Sequence, residues 1–137
     1  MEEYEISETT RQQAYDYAHG FNGLAHDGDR AMKLYRRAAE LGNRRAMGEL
    51  AYFYLNGIFV DQDISEAVRL YEEAVKTELC DSWLYALAAC YEKGEGVPRS
   101  LLRSLSLYRR AAELGSGRAR KALLRLGETV PELASAG

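Results

Sequence analysis

Nine consecutive residues, LYRRAAELG, occur at 34–42 and again, unchanged, at 107–115. The two copies lie 73 residues apart, twice a period of about 36.5. A diverged third copy, Leu70-Tyr71-Glu72-Glu73-Ala74-Val75, lies between them. The rest of the period repeats too: Tyr17, Tyr54 and Tyr91 are each followed three residues later by Gly20, Gly57 and Gly94, and then by Asp27, Asp63 and Ser100. A repeat this short is one supersecondary unit, and such a unit cannot bury its apolar face alone. Stacking against its neighbours is therefore the fold that the chain can adopt.

Each unit reads as a helix, a loop and a second helix. In the second unit Ala46, Leu50, Ala51 and Tyr54 fall on one helical stripe. Gly57 follows at the position where a left-handed residue closes a helix. Asp63 then caps the next helix, with Glu66 completing a capping box, and Ala67, Leu70, Tyr71 and Ala74 form its stripe. Asn43 and Ser116 are expected as caps of the helices that follow Gly42 and Gly115. The pattern predicts helices over about 7–19, 28–41, 43–56, 63–77, 81–93, 100–114 and 116–126, and no strand. Ala38, Ala74 and Ala111 recur where adjacent helices must approach closely, and a larger residue there would overpack at a cost of about 1–3 kcal/mol. The ends depart from the pattern as terminal repeats must: Thr9 and Gln13 make the first helix polar outside, and Gly127 stands where the repeat has Tyr. Residues 1–6 and 128–137 are expected as flexible ends around a single domain, 7–127.

Composition narrows the function. The 137 residues are 47% hydrophobic and 28% charged, enough for one packed domain and unlike a disordered tail. The formal net charge of −3 argues against nucleic acid as partner. No apolar run reaches the ~18 residues of a membrane span. The acidic start MEEYEISETT is unlike a secretory signal. With only two cysteines, Cys80 and Cys90, a disulfide scaffold is excluded and a cytoplasmic location is the expectation.

This pattern resembles the Sel-1-like repeats, relatives of the tetratricopeptide repeats. The third unit carries the resemblance through Leu87, Ala88, Tyr91, Gly94, Gly96, Val97, Tyr108, Ala111, Ala112, Glu113 and Gly115. The second does so through Ala46, Leu50, Tyr54, Gly57, Val60, Asp63, Ala67, Tyr71 and Ala74, and the first through Tyr17, Gly20, Asp27, Ala31, Tyr35, Ala38, Ala39, Glu40 and Gly42. The resemblance implies an all-α, right-handed α-α superhelix: three units, about 9–45, 46–82 and 83–118, a closing helix at 116–126, and first helices lining a concave face. It implies protein–protein contact without catalysis or cofactor, in adaptors, regulators and bacterial immunity proteins that neutralise secreted toxins. A cysteine-rich branch of the family staples each helix pair with a disulfide. Here Cys80 and Cys90 sit at opposite ends of one helix, ~15 Å apart, too far to bridge.

On such a concave face the positions flanking the packed stripe include Arg11 and Tyr15, then Arg45, Tyr52 and Asn56, then Tyr85, and finally Arg118, Lys121 and Arg125. Tyr and Arg are the residue types enriched where binding energy concentrates. These nine are the expected contacts to a protein partner, the basic end facing an acidic or mixed segment, with the chain itself a monomer or weak homodimer. Competing chemistry is weaker. His19 and His26 lack further metal ligands at a recognisable spacing. A small hydrolase or penicillin-binding-like enzyme would need a nucleophile–base pair, and none is apparent. Cys90 reads as a buried apolar residue. The pairs Arg36-Arg37 and Arg109-Arg110 read as solvated convex surface, and Glu72-Glu73 as a solvated face.

Overall fold

The computed structural model describes residues 2–77 and 80–134. These residues form seven helices and no strand: α1 Glu2–His19, α2 Gly28–Glu40, α3 Arg44–Asn56, α4 Ile64–Ala74, α5 Asp81–Lys93, α6 Leu101–Glu113 and α7 Gly117–Arg125. The chain separates into two compact units, Met1–Ala74 and Val75–Gly137. In the first, α1 packs on α2, α2 on α3, and α3 on α4; in the second, α5 packs on α6 and α6 on α7.

The repeat positions make the core. Tyr35, Tyr71 and Tyr108 are at most 2% exposed, and Ala38, Ala74 and Ala111 are fully buried. These alanines put only a methyl group between neighbouring backbones, as the sequence pattern requires. Tyr17, Tyr54 and Tyr91 are only half-buried. Each has a guanidinium over its ring: Arg30 at 5.2 Å, Arg36 at 5.9 Å and Arg103 at 5.8 Å. Arg36 therefore has a partner, where the sequence suggested only a solvated surface.

One backbone contact recurs in the loops α1–α2, α3–α4 and α5–α6. The amides of Asp27, Asp63 and Ser100 donate to the carbonyls of Tyr17, Tyr54 and Tyr91, each at 2.9 Å. This closes the loop and sets the cap of the following helix. The Asp63 side chain accepts from the Glu66 amide at 3.1 Å, as expected of a cap. The reciprocal half of the capping box is replaced: the Asp63 amide is committed to Tyr54, and the Glu66 carboxylate pairs with Arg69. Gly57 and Gly94 lie at φ 63° and 72° at the ends of α3 and α5. A Cβ on Gly94 would also come within 3.1 Å of Arg99 Cβ, so both backbone and space demand glycine.

Most helix ends fall within one residue of expectation, and three places differ by more. Helix α1 begins at Glu2, five residues before the predicted start at residue 7, so residues 2–6 are helical. Glu2, Glu3 and Glu5 carry charge that suits a helix N-terminus, and Ser7 Oγ donates back to the Tyr4 carbonyl at 2.9 Å. Helix α4 stops at Ala74 rather than at 77. Its end lacks the glycine that follows α2 and α6, and Val75 and Thr77 are β-branched, which disfavours further turns. Residues 128–134, expected as a frayed end, are tied to α6 and α7: Glu128 pairs with Arg109 at 2.8 Å and the Ala134 amide donates to the Glu113 carbonyl at 2.7 Å. The rest of the expected flexible ends, residue 1 and residues 135–137, lies outside the described residues.

Candidate protein-binding surface

In the first unit the face carried by α1 and α3 is organised by Arg11. Its guanidinium is buried, although the sequence placed it among surface contacts. Nη1 donates to Glu49 Oε1 at 2.9 Å. Nε and Nη2 donate to Glu8 Oε1 at 2.9 and 2.7 Å. Asn43 continues the network: Oδ1 accepts from the Ala46 amide at 2.9 Å, capping α3, while Nδ2 donates to Glu8 Oε2 at 2.9 Å and Ser7 Oγ at 3.3 Å. Arg11 is thus a tie between α1 and α3, and it is withdrawn from the set of partner contacts. Its hydrogen bond and charge hold the Glu8 carboxyl below the usual carboxylate range, against a smaller opposing effect of burial. Burial raises the Glu49 carboxyl, against the pull of Arg11 and of the Tyr35 hydroxyl beside it. Burial, with the Glu49 charge, pushes the Tyr35 phenol well above its ordinary value.

Around this tie stand the other expected residues of the first unit. Tyr15 is half-buried, its ring 4.1 Å from the His19 ring and 5.9 Å from Phe21. His19 Nδ1 lies 2.8 Å from the Tyr15 carbonyl oxygen, so that histidine is part of an aromatic cluster. His26 is likewise placed against an aromatic ring, edge-on to Phe59. Tyr52 is 51% exposed. Asn56 donates to the Tyr52 carbonyl at 2.9 Å, so its amide serves its own helix. Arg45 is exposed, 3.8 Å from Glu8 Oε1.

In the second unit Tyr85, Glu92 and the basic face of α7 come together. Arg118, Lys121 and Arg125 fall on one side of α7 by their spacing. The Arg118 guanidinium lies over the Tyr85 ring, 4.4 Å from its centroid, and Tyr85 in turn packs against Tyr108 at 5.7 Å. Arg125 donates through Nη1 and Nη2 to the two oxygens of Glu92, both at 2.8 Å. The Tyr108 hydroxyl donates to Glu92 Oε1 at 2.7 Å. Arg125 therefore has its counter-ion within the fold. Arg118 and Lys121 are both exposed on this face. A stacked guanidinium keeps its N–H edge free for a carboxylate while the ring holds its plane.

Glu49 and Glu92 give these networks their charge balance, and neither was among the expected contacts. For Glu92 the signal was its place on the same face as Tyr85. For Glu49 no spacing rule pointed to it, because its partner Arg11 comes from 38 residues away. Among the described residues no group of three or more His, Cys, Asp or Glu side chains could hold a metal ion. Cys80 and Cys90 are free, and burial pushes the Cys90 thiol up, away from thiolate chemistry.

The architecture defines an α-helical repeat protein. The chain belongs to the Sel1 repeat family: the Sel1 repeat is matched at residues 14–43, 44–76 and 84–116. Sel1 repeats mediate protein–protein interaction. Chitin synthase regulatory factor 3 of Schizosaccharomyces pombe is 33% identical over 98 residues, 68% of this chain. The chain spans about a tenth of the length of that relative. Among solved structures, a Sel1 repeat protein from Oxalobacter formigenes superposes with a TM-score of 0.77 at 30% identity, covering 87% of this chain and 88% of its own. The protective antigen c5321 of uropathogenic Escherichia coli, with the same repeat fold, gives 0.79 at 30% identity, covering 90% of this chain and 27% of the antigen. Helicobacter pylori cysteine rich protein B gives 0.66 at 19% identity, covering 89% and 95%, a likeness of fold alone. No helix among the described residues is long and apolar enough to cross a membrane.

Proposed function

We propose that the chain is a non-enzymatic binding module that takes an acidic segment of a protein partner on the face made by Tyr85, Arg118 and Lys121. The observation that carries this reading is the stack of Arg118 on Tyr85 at 4.4 Å. Arg125 and Glu92 beside it neutralise each other, so the stacked Arg118 and Lys121 supply the charge that a partner carboxylate meets. The first unit, taken by itself, offers a separate contact in Tyr52, half exposed, with Arg45 and Asn56 on the same unit and Tyr15 partly covered by its own neighbours. Charge-assisted contacts of this kind set orientation and association rate as much as affinity.

Of the partner classes implied by the family, an adaptor or regulatory role has the support of the similarity to a chitin synthase regulatory factor. An immunity role, in which the chain neutralises a secreted toxin, is separated from it by co-expression: rescue of cells from a toxin encoded beside this gene marks immunity.

The test compares proteins captured from native lysate by the unchanged chain and by its Arg118→Ala, Lys121→Ala double variant, identified by mass spectrometry. Both substitutions are at exposed sites and should leave the circular dichroism spectrum unchanged. Specific captures should fall about tenfold or more with the double variant. An identical set, captured equally well by both, rejects this face as the binding surface.

A further inference from the structure

In the first unit a cleft of about 280 Å³ opens between α2, α3 and α4, with Arg36, Glu40, Met47 and Leu50 along one side. The sequence repeat places Arg109, Glu113, Arg120 and Leu123 at the same positions of the second unit, each 73 residues on. There the surface is not left open. Residues 128–134, ETVPELA, cross it outside any helix and touch three of those four residues. Arg109 Nη2 donates to Glu128 Oε2 at 2.8 Å. Arg120 Nη1 donates to the Pro131 carbonyl at 3.2 Å. The Ala134 amide donates to the Glu113 carbonyl at 2.7 Å.

The repeat explains why Arg109 is available for this contact. Its counterpart Arg36 donates to the Tyr54 hydroxyl at 3.2 Å, but the position of that tyrosine is Gly127 in the second unit. Arg109 has no ring to lie on and takes the carboxylate of the next residue, Glu128. The strap is lightly held. Its three polar ties are partly solvated, and such ties contribute little each. Leu133 remains 64% exposed, as does Leu124 on α7. The contact with Arg120 is also suboptimal. Only one nitrogen of the guanidinium reaches this carbonyl, where a carboxylate would accept two parallel hydrogen bonds from the fork.

We propose that the surface of Arg109, Glu113 and Arg120 is a docking site for an extended acidic segment of a partner protein, and that residues 128–134 are its tethered, displaceable occupant. Two carboxylates, one on each arginine, define the preferred partner. This surface lies on α6 and α7 apart from Tyr85 and Arg118, so it stands or falls independently of the face proposed above.

The test uses the full chain and, as probe, a fluorescein-labelled peptide of sequence ETVPELA. A second peptide has both Glu residues as Gln. Glu128→Gln with Ala134→Pro removes the carboxylate and the amide that hold the strap and touches no helix. The acidic peptide should bind this double variant at least about fivefold more tightly than the unchanged chain, and adding Arg109→Ala should abolish the gain. Equal affinity for the two chains, equal binding of the Gln peptide, or preference for an RNA oligonucleotide over the peptide overturns the proposal. If the double variant does not fold, the unchanged chain decides. Saturating acidic peptide should speed amide exchange at Ala134 about tenfold by displacing the strap, and unchanged exchange refutes displacement.

Discussion

The Tyr108 hydroxyl donates to Glu92 at 2.7 Å, and that same carboxylate receives both terminal nitrogens of Arg125. A tyrosine of the repeat core is thereby joined to the charged face of α7. The hydrogen bond from Arg125, and less so that from Tyr108, hold the Glu92 carboxyl below its ordinary 4.5 although burial acts against them. A group whose pKa is depressed by folding stabilises the fold above its unfolded value, and that contribution is lost as pH falls through the folded value. Urea denaturation should therefore show stability declining below about pH 4.5, with a shallower decline in Glu92→Gln. Tyr108→Phe should cost about 1.5–3 kcal/mol at pH 7, the value of a hydrogen bond to a charged acceptor.

Asn43 does two jobs and Ser116, its counterpart in the second unit, does one. Both cap a helix through a side-chain oxygen, at 2.9 Å to the Ala46 amide and 3.1 Å to the Ala119 amide. Only Asn43 also donates to another helix, to Glu8 and Ser7 on α1. Ser116→Ala should cost about 1 kcal/mol, the value of a cap. Asn43→Ala should cost about 2–3 kcal/mol, because buried acceptors on α1 lose their donor as well. Equal midpoint shifts for the two variants in urea titrations would show that the contact to α1 contributes nothing.

Much of this fold was legible because its determinants recur. LYRRAAELG written twice, the Tyr and Gly residues at a period of 37 and the caps Asn43, Asp63 and Ser116 all act within one repeat, so each copy supports the reading of the others. What escaped acts once or acts at long range. Residues 2–6 bury no stripe, so their helix rests on first-turn charge, which periodicity does not register. Arg11 sat at a recognised face position, but its burial depends on Glu49 from another helix. The strap binds through a carbonyl, an amide and one carboxylate, none of which leaves a periodic trace. On the candidate surface the sequence located Tyr85 and Arg118. That Arg125 is neutralised while Arg118 is stacked required the side-chain geometry.

Arg11→Ala isolates Glu49 in partly buried surroundings. Removing one partner of a buried pair leaves the other charge uncompensated, and about 3 kcal/mol is the expected scale of the loss. Its pH dependence has a definite sign. Burial already raises the folded pKa of Glu49, and loss of Arg11 raises it further. A carboxyl so raised favours the folded state in its protonated form, and that advantage disappears as pH rises through the folded value. Arg11→Ala should therefore lose more stability relative to the unchanged chain at pH 7 than at pH 5. Arg11→Ala with Glu49→Gln should recover part of the loss and remove that pH difference. A deficit that is the same at both pH values in the single variant rules out Glu49 as its source.

The two cysteines should react at very different rates. Cys80 precedes α5 and is half-buried, whereas Cys90 is 3% exposed within the same helix. Burial, with a smaller contribution from Glu95, raises the Cys90 thiol pKa. The thiolate is the reactive form, so Cys90 is protected both by access and by protonation. Titration with a chromogenic disulfide reagent under native conditions should show one fast thiol. The second should react only as quickly as the surrounding helices open. In Cys80→Ser the fast phase should vanish and the slow phase should accelerate with urea. Two fast thiols in the unchanged chain would mean that α5 opens readily to solvent, contrary to the packing of Leu84, Leu87 and Ala88, all fully buried on the same helix.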